Sequence, residues 1–305
     1  MSKTRHTLFL FMISLLKYSI ILFHLIQLPN VKSISEIKIK IKVSENSDSW
    51  RGVLSDDFTA PSEVTINGTI NNHVENLKYF YGVPGEYNIV IKFNQDISSY
   101  ENMFRGLKRV DEITLVEFKT PKVKSMRNMF AYSPLKKIIF QNVDTSTVED
   151  MSCLFTESKS LEQIDLSTLD TSSVKNMSSM FRYCEQLKVI DASSFDTSQV
   201  TDMYDIFGYC FNLVYINISS FNTKKAEVIQ GTFISCEKLR YLDISNLDYT
   251  YIKTNALSCS TDPCRYHYFF ANCGQLKCLN APNFYIRIYY HRIFPHIHLN
   301  LHRIF

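Results

Sequence analysis

The chain has 305 residues, of which 45% are hydrophobic and 21% charged, and its formal charge is +3. That length admits up to two domains and a sizeable core. The mild charge, with no Lys/Arg cluster dominating any segment, gives no support to nucleic-acid binding.

At the N-terminus, Lys3, Arg5 and His6 precede apolar runs from Leu8 to Leu16 and from Tyr18 to Leu28, and Val31 and Ser33 stand at −3 and −1 of a cleavage point after Ser33. This is the layout of a secretory signal peptide over residues 1–33. The rival reading is an uncleaved anchor, because residues 8–28 are long enough to span a bilayer. Lys17 opposes it, since a central Lys costs about 2.5–3.5 kcal/mol on insertion scales. Either reading sends the remainder into the secretory route and so outside the cell or onto its surface. Membrane contact is then expected only through this segment, if it is retained.

Residues 34–100 do not repeat. Ile37–Val43 alternates strictly and Tyr87–Phe93 alternates in part, so both read as strands of a β-rich N-terminal cap, with Trp50 as the expected anchor of its core. Sequons occur at Asn67, Asn176 and Asn217. Asn67, beside Gly68 in an expected turn, is the best candidate for glycosylation, whereas Asn217 falls within an expected strand.

Residues 101–280 read as a solenoid of about seven repeats. Phe104, Phe130, Phe155, Phe181, Phe207 and Phe233 are spaced by 25 or 26 residues, and such a period marks stacked units that cannot bury a core singly. Segments such as Leu161–Ser167 and Leu187–Ser193 alternate inward and outward and predict short parallel strands. Asp170-Thr-Ser-Ser173 and Asp196-Thr-Ser-Gln199 look like helix caps. The spacing of Val174, Met177 and Phe181 then predicts a helix of about two turns. The expected fold is therefore an α/β, leucine-rich-repeat-like solenoid of parallel strands and short helices.

The phrase Phe195-Asp-Thr-Ser-Gln-Val-Thr-Asp-Met203, followed by Phe207-Gly-Tyr-Cys-Phe-Asn-Leu213, resembles the BspA-type leucine-rich-repeat surface proteins, in the branch with roughly 26-residue repeats found in mycoplasma and protist surface proteins. The likeness covers about residues 101–280 and departs at Phe118–Val123, which lacks the Asp, and at Ala226, which replaces the usual Val. It implies a cell-surface or secreted protein used in adhesion or partner binding, and it brings no catalytic residues.

The step from Phe233 to Phe270 is 37 residues, which places an insertion at 249–268. Insertions in solenoids emerge as loops, either tolerated or used for binding. Cys184, Cys210, Cys236 and Cys273 share one repeat position; stacking sets neighbouring sulfurs roughly 5 Å apart, which suits a ladder of free thiols or alternate disulfides. Cys259, Cys264, Cys273 and Cys278 form a C-x4-C-x8-C-x4-C set that favours disulfides over zinc in a secreted chain, with Cys259–Cys264 the expected bridge. Cys153 stands out of register. Residues 281–305 form an irregular tail whose histidines match no familiar metal-ligand spacing.

Outward strand positions form columns: Asp165, Asp191, Asn217, Asp243 and Asn280; then Gln163, Val189, Tyr215 and Tyr241; then the serines from Ser167 to Ser245. The candidate ligand-binding face is Asp165, Asp191, Tyr215, Asn217, Tyr241 and Asp243, suited to a protein or glycan on another cell or matrix. An acidic column also invites Ca²⁺; the blander reading is that these residues solubilise the sheet and bond to their neighbours. No nucleophile–base pair, phosphate loop or metal-ligand pair is recognisable, so neither enzyme activity nor a cofactor or metal is expected. Two functions remain open, an extracellular binding or adhesion module and a coat or spacer protein without a specific ligand.

Overall fold

A computed structural model describes residues 35–44, 51–58, 60–70, 79–80, 83–95, 97–118, 122–248, 269–281 and 298–299. The signal or anchor segment, Trp50, Cys259, Cys264 and the 249–268 insertion lie outside the described residues, as does most of the tail.

The non-repetitive segment supplies β1 (Ser35–Val43), β2 (Arg51–Gly52), β3 (Glu63–Ile66), β4 (Thr69–Ile70), β5 (Tyr79–Phe80) and β6 (Gly85–Phe93). In β1 the alternation seats Ile37, Ile39, Ile41 and Val43 in the core, while Lys38 and Lys42 reach Glu117 and Glu112 at 2.8 and 2.7 Å. Strands β3 and β4 are joined by Asn67 and Gly68 at φ 48° and 82°, the left-handed pair a two-residue hairpin demands.

The repeats contribute β7 (Glu112–Glu117), β8 (Lys137–Phe140), β9 (Gln163–Ile164), β10 (Val189–Asp191), β11 (Tyr215–Asn217), β12 (Tyr241–Asp243) and β13 (Cys278–Asn280), with β14 (His298–Leu299) beyond them. Strand β1 lies between β6 and β7, antiparallel to both, and one sheet runs β4-β3-β6-β1-β7-β8-β9. Among the described residues every pairing between strands β7 to β13 is parallel, and β14 adds a parallel partner to β13. A second parallel ladder of single bridges links Ser99, Ser125, Asp150, Asn176, Asp202 and Val228. The repeats therefore wind as a β-solenoid.

The expected short helices are absent among the described residues. An arc of turns stands in their place. In the Phe181 coil the N–H groups of Met177, Ser179, Phe181 and Tyr183 donate to the carbonyls of Asp202, Tyr204, Ile206 and Gly208 at 2.9, 2.7, 2.8 and 3.0 Å, in the next coil. Local bonds such as Met180 N to Met177 O, at 3.2 Å, close the turns between them. A helix would send these donors back along its own chain. The arc is possible because two of its positions are left-handed in each coil from Phe104 to Phe233. One column runs Asn102, Asn128, Cys153, Ser179, Asp205 and Gly231; the other runs Gly106, Tyr132, Glu157, Tyr183, Tyr209, Ser235 and Asn272.

The Asp-Thr-Ser phrase also has a different task from capping a helix. Asp170 and Asp196 accept the N–H of Ser172 and Ser198 at 2.9 Å each, closing Asx turns. The buried hydroxyls of Thr171 and Thr197 each donate to a carbonyl of the next coil, at Asp196 and Asn222, and accept the same residue's N–H at 2.8 and 2.7 Å. Each such threonine staples one coil to the next.

The core is one continuous column. Successive phenylalanines from Phe104 to Phe233 stack with centroids 5.1–5.7 Å apart, and Phe270 closes the series 6.0 Å from Phe233. Beside it, Cys184, Cys210, Cys236 and Cys273 are buried free thiols. Each donates to the carbonyl of a phenylalanine in the preceding coil at 3.0–3.2 Å. Ser133 and Ser158 hold the same place in earlier coils and bond Phe104 and Phe130. Burial pushes Cys210 and Cys273 up to about 12, so these thiols are inert packing donors.

Candidate functional site

The strand face brings the predicted columns together. Val189 pairs with Tyr215 and Asp191 with Asn217; Tyr241 pairs with Cys278 and Asp243 with Asn280. Val189, Tyr215 and Tyr241 are 56, 44 and 42% exposed, a row of large apolar side chains on neighbouring strands. The pleat turns Ile190, Ile216 and Leu242 inward and these residues outward.

The polar column beside that row is occupied internally. Asp165, Asp191, Asn217 and Asp243 each accept the N–H of the serine two residues on, at 2.9–3.1 Å. Hydrogen bonds from Ser167 and Ser193 hold Asp165 and Asp191 below the usual carboxylate value. At Asp243 burial works upward, but bonds from Ser245, Asn280 and Tyr241 outweigh it and the net shift is downward. Burial, then the neighbouring Asp243, raises Tyr241. These carboxylates end strands and start turns. Among the described residues no group of His, Cys, Asp and Glu is arranged to hold a metal ion.

Asn67 sits exposed at its hairpin tip, where its Oδ1 accepts the Asn88 N–H at 2.8 Å. Cys273 belongs to the buried thiol ladder and Cys278 to the strand face, which places one member of the four-cysteine set in the core and another on the sheet.

A second feature has no counterpart in the sequence expectations. On the arc, Tyr183 and Tyr209 stack at 4.4 Å and 17°, and Phe211 approaches them at 6.4 and 6.2 Å. The Arg182 guanidinium lies 4.6 and 5.1 Å from the two tyrosine rings and donates from Nε to Asp205 Oδ2 at 3.0 Å. Asp205 is buried, and burial holds it above the usual carboxylate value against the pull of Arg182. Tyr204, 47% exposed, stands on the same arc, where its carbonyl accepts the Ser179 N–H at 2.7 Å. The signal in the sequence was aromatic residues standing where other repeats carry polar ones. A separate cleft of about 280 Å³ opens where Leu54–Asp57 meets the first coil, crossed by the Arg105–Asp57 ion pair at 2.6 Å and flanked by Tyr132.

Residues 98–213 and 184–257, together just over half of the chain, match the family described as "Mycoplasma protein of unknown function, DUF285". The chain belongs to that family. The matched span covers the coils from Phe104 to Phe233 and both aromatic surfaces, and leaves out strands β1 to β6 and β13. No curated protein and no solved structure matches the chain.

Proposed function

We propose that the protein is a secreted or cell-surface binding module, of the BspA-like repeat type, that grips a protein or glycan on another cell or matrix through its strand face. The observation that carries this reading is the exposed row Val189, Tyr215 and Tyr241. Neighbouring polar columns are consumed by turn hydrogen bonds, whereas this row lies outside the buried core and holds about half of its area toward solvent. Contiguous apolar area on a rigid surface is the ordinary starting point of an interface. The stacked coils supply the rigidity, which lowers the ordering cost of binding.

The test is a triple variant, Val189→Ser, Tyr215→Ser and Tyr241→Ser, with Asp191 and Asp243 left intact because they close turns. The expected outcome is an unchanged melting curve with attachment to cells or matrix lost. Undiminished attachment would sink the proposal and favour the second reading, a coat or spacer protein. That second reading draws on the turn bonds themselves, which give the Asp column a purely structural purpose. No catalytic step is assigned to either reading.

A further inference from the structure

The repeat is its own control for what each position requires, and the Phe207 coil breaks it in one place. Where Tyr204 stands, other coils carry Arg127, Ser152, Ser178 and Gln230; where Phe211 stands, they carry Lys159, Glu185 and Glu237. Tyr209 occupies a left-handed position at φ 62° that it shares with Tyr132 and Tyr183, and that Gly106, Glu157, Ser235 and Asn272 fill in other coils. A bulky side chain in that conformation costs free energy that Gly or Asn would avoid. Folding therefore calls for neither Tyr204 nor Phe211; Phe211 and Tyr209 gather at Tyr183, and Tyr204 stands exposed on the same arc, its carbonyl accepting the Ser179 N–H of the preceding coil.

The electrostatics of the patch narrow its occupant. Arg182 is bonded to Asp205, and Lys159 lies 3.3 and 3.0 Å from Glu157 and Glu185. Two cations against three carboxylates leave no net positive charge for a phosphate or sulfate. A quaternary ammonium is disfavoured as well, because Lys159 and Arg182 already sit 5.7 and 4.6 Å from the Tyr183 ring centroid. What remains complementary is a neutral, hydroxyl-bearing ligand with polarised C–H faces to set against the negative faces of aromatic rings. We propose that Tyr204, Tyr209 and Phe211, with Tyr183 behind them, form a binding site for a neutral saccharide, separate from the strand face.

The test uses the full chain and three probes, short neutral gluco-, manno- and galacto-oligosaccharides. Binding is followed by saturation-transfer NMR and by the ring resonances of Tyr204 and Phe211. The variant is Tyr204→Ser with Phe211→Glu, both borrowed from the preceding coil at Ser178 and Glu185. At least one probe is expected to shift both rings, and the variant to bind it about tenfold or more weakly, as removal of two ring contacts requires. The triple strand-face variant is expected to bind that probe as the wild type does, so failure here and failure of the strand-face reading are distinct results. No ring shift with any of the three probes overturns the proposal in the wild type alone, whether or not the variant folds. Undiminished affinity in a folded variant, or affinity confined to sulfated saccharides, overturns it too.

Discussion

Gly231 is the sharpest place to test the architecture. Its column is left-handed in each coil from Phe104 to Phe233, yet Asn102, Asn128, Cys153, Ser179 and Asp205 all adopt it; φ alone does not demand glycine. The demand comes from the coil before. A Cβ at Gly231 would overlap Asp205 Oδ1 and lie 3.0 Å from its Cγ, so Gly231→Ala must push the carboxylate off Arg182. The left-handed alanine costs about 1–2 kcal/mol. Losing one partner of a buried ion pair costs about 3–5 kcal/mol, and the lower end applies because the Arg182 side chain is 32% exposed. Together, Gly231→Ala should destabilise by about 4–5 kcal/mol. In an Asp205→Ser background, which copies Ser179 one coil earlier, the clash disappears and only the about 1–2 kcal/mol of backbone strain remains. Urea unfolding of the four proteins in the cycle should therefore give a coupling of about 3 kcal/mol. An equal cost of Gly231→Ala in both backgrounds would refute the account of why this coil carries glycine.

Other expectations follow from the ladders. Phe181→Ala, which removes a ring stacked between Phe155 and Phe207, should cost about 3–5 kcal/mol in urea unfolding. Cys210→Ser should be nearly neutral, because Ser133 and Ser158 already serve at that position; Cys210→Val removes one of the two bonds to the Phe181 carbonyl, which keeps the Cys184 N–H, and should cost about 0.5–1.5 kcal/mol. Native thiol titration should find the ladder cysteines unreactive until the chain unfolds. Acid should weaken the fold. Bonds from Lys175, then Lys124, lower Glu149 from its ordinary 4.5 to about 2, and Asp165, Asp191 and Asp196 are also lowered. Depressed carboxylates stabilise above their unfolded values and lose that stabilisation as pH falls through the folded ones, so the urea midpoint should drop between about pH 4.5 and 2. Half-buried Asp202 and buried Asp205 are shifted the other way and oppose the trend; Glu149→Gln should make the drop shallower.

The period, the phenylalanine column and the parallel strands were legible in the sequence, because alternation and recurrence report directly on which side chains face the core. The helices were misread for a physical reason. Val174, Met177 and Phe181 recur at helical spacing, but a string of turns with left-handed residues also brings Met177, Met180 and Phe181 inward. The correcting signal was present: Asn102, Asn128, Ser179, Asp205 and Gly231 stand mid-segment, and these residues are poor helix formers that tolerate left-handed backbone. Asp-Thr-Ser misled in the same way, since the oxygens that cap a helix also close an Asx turn or bridge two coils. The strand-face row was visible in advance. The arc patch was not, because Tyr204, Tyr209 and Phe211 share an arc only once the chain turns as it does.

The arc has a further consequence in its direction. Along it, N–H groups point to the following coil and carbonyls to the preceding one, repeatedly from Met126 N to Asp150 O through Ser235 N to Ala271 O. The dipoles of these arc peptides therefore align along the solenoid axis without a helix among the described residues, while bonds at the arc's edge, such as Lys175 N to Glu149 O and Thr201 N to Lys175 O, run the other way. At the N-terminal end the carbonyl of Met103 is met by the N–H of Ser55, from the non-repetitive segment.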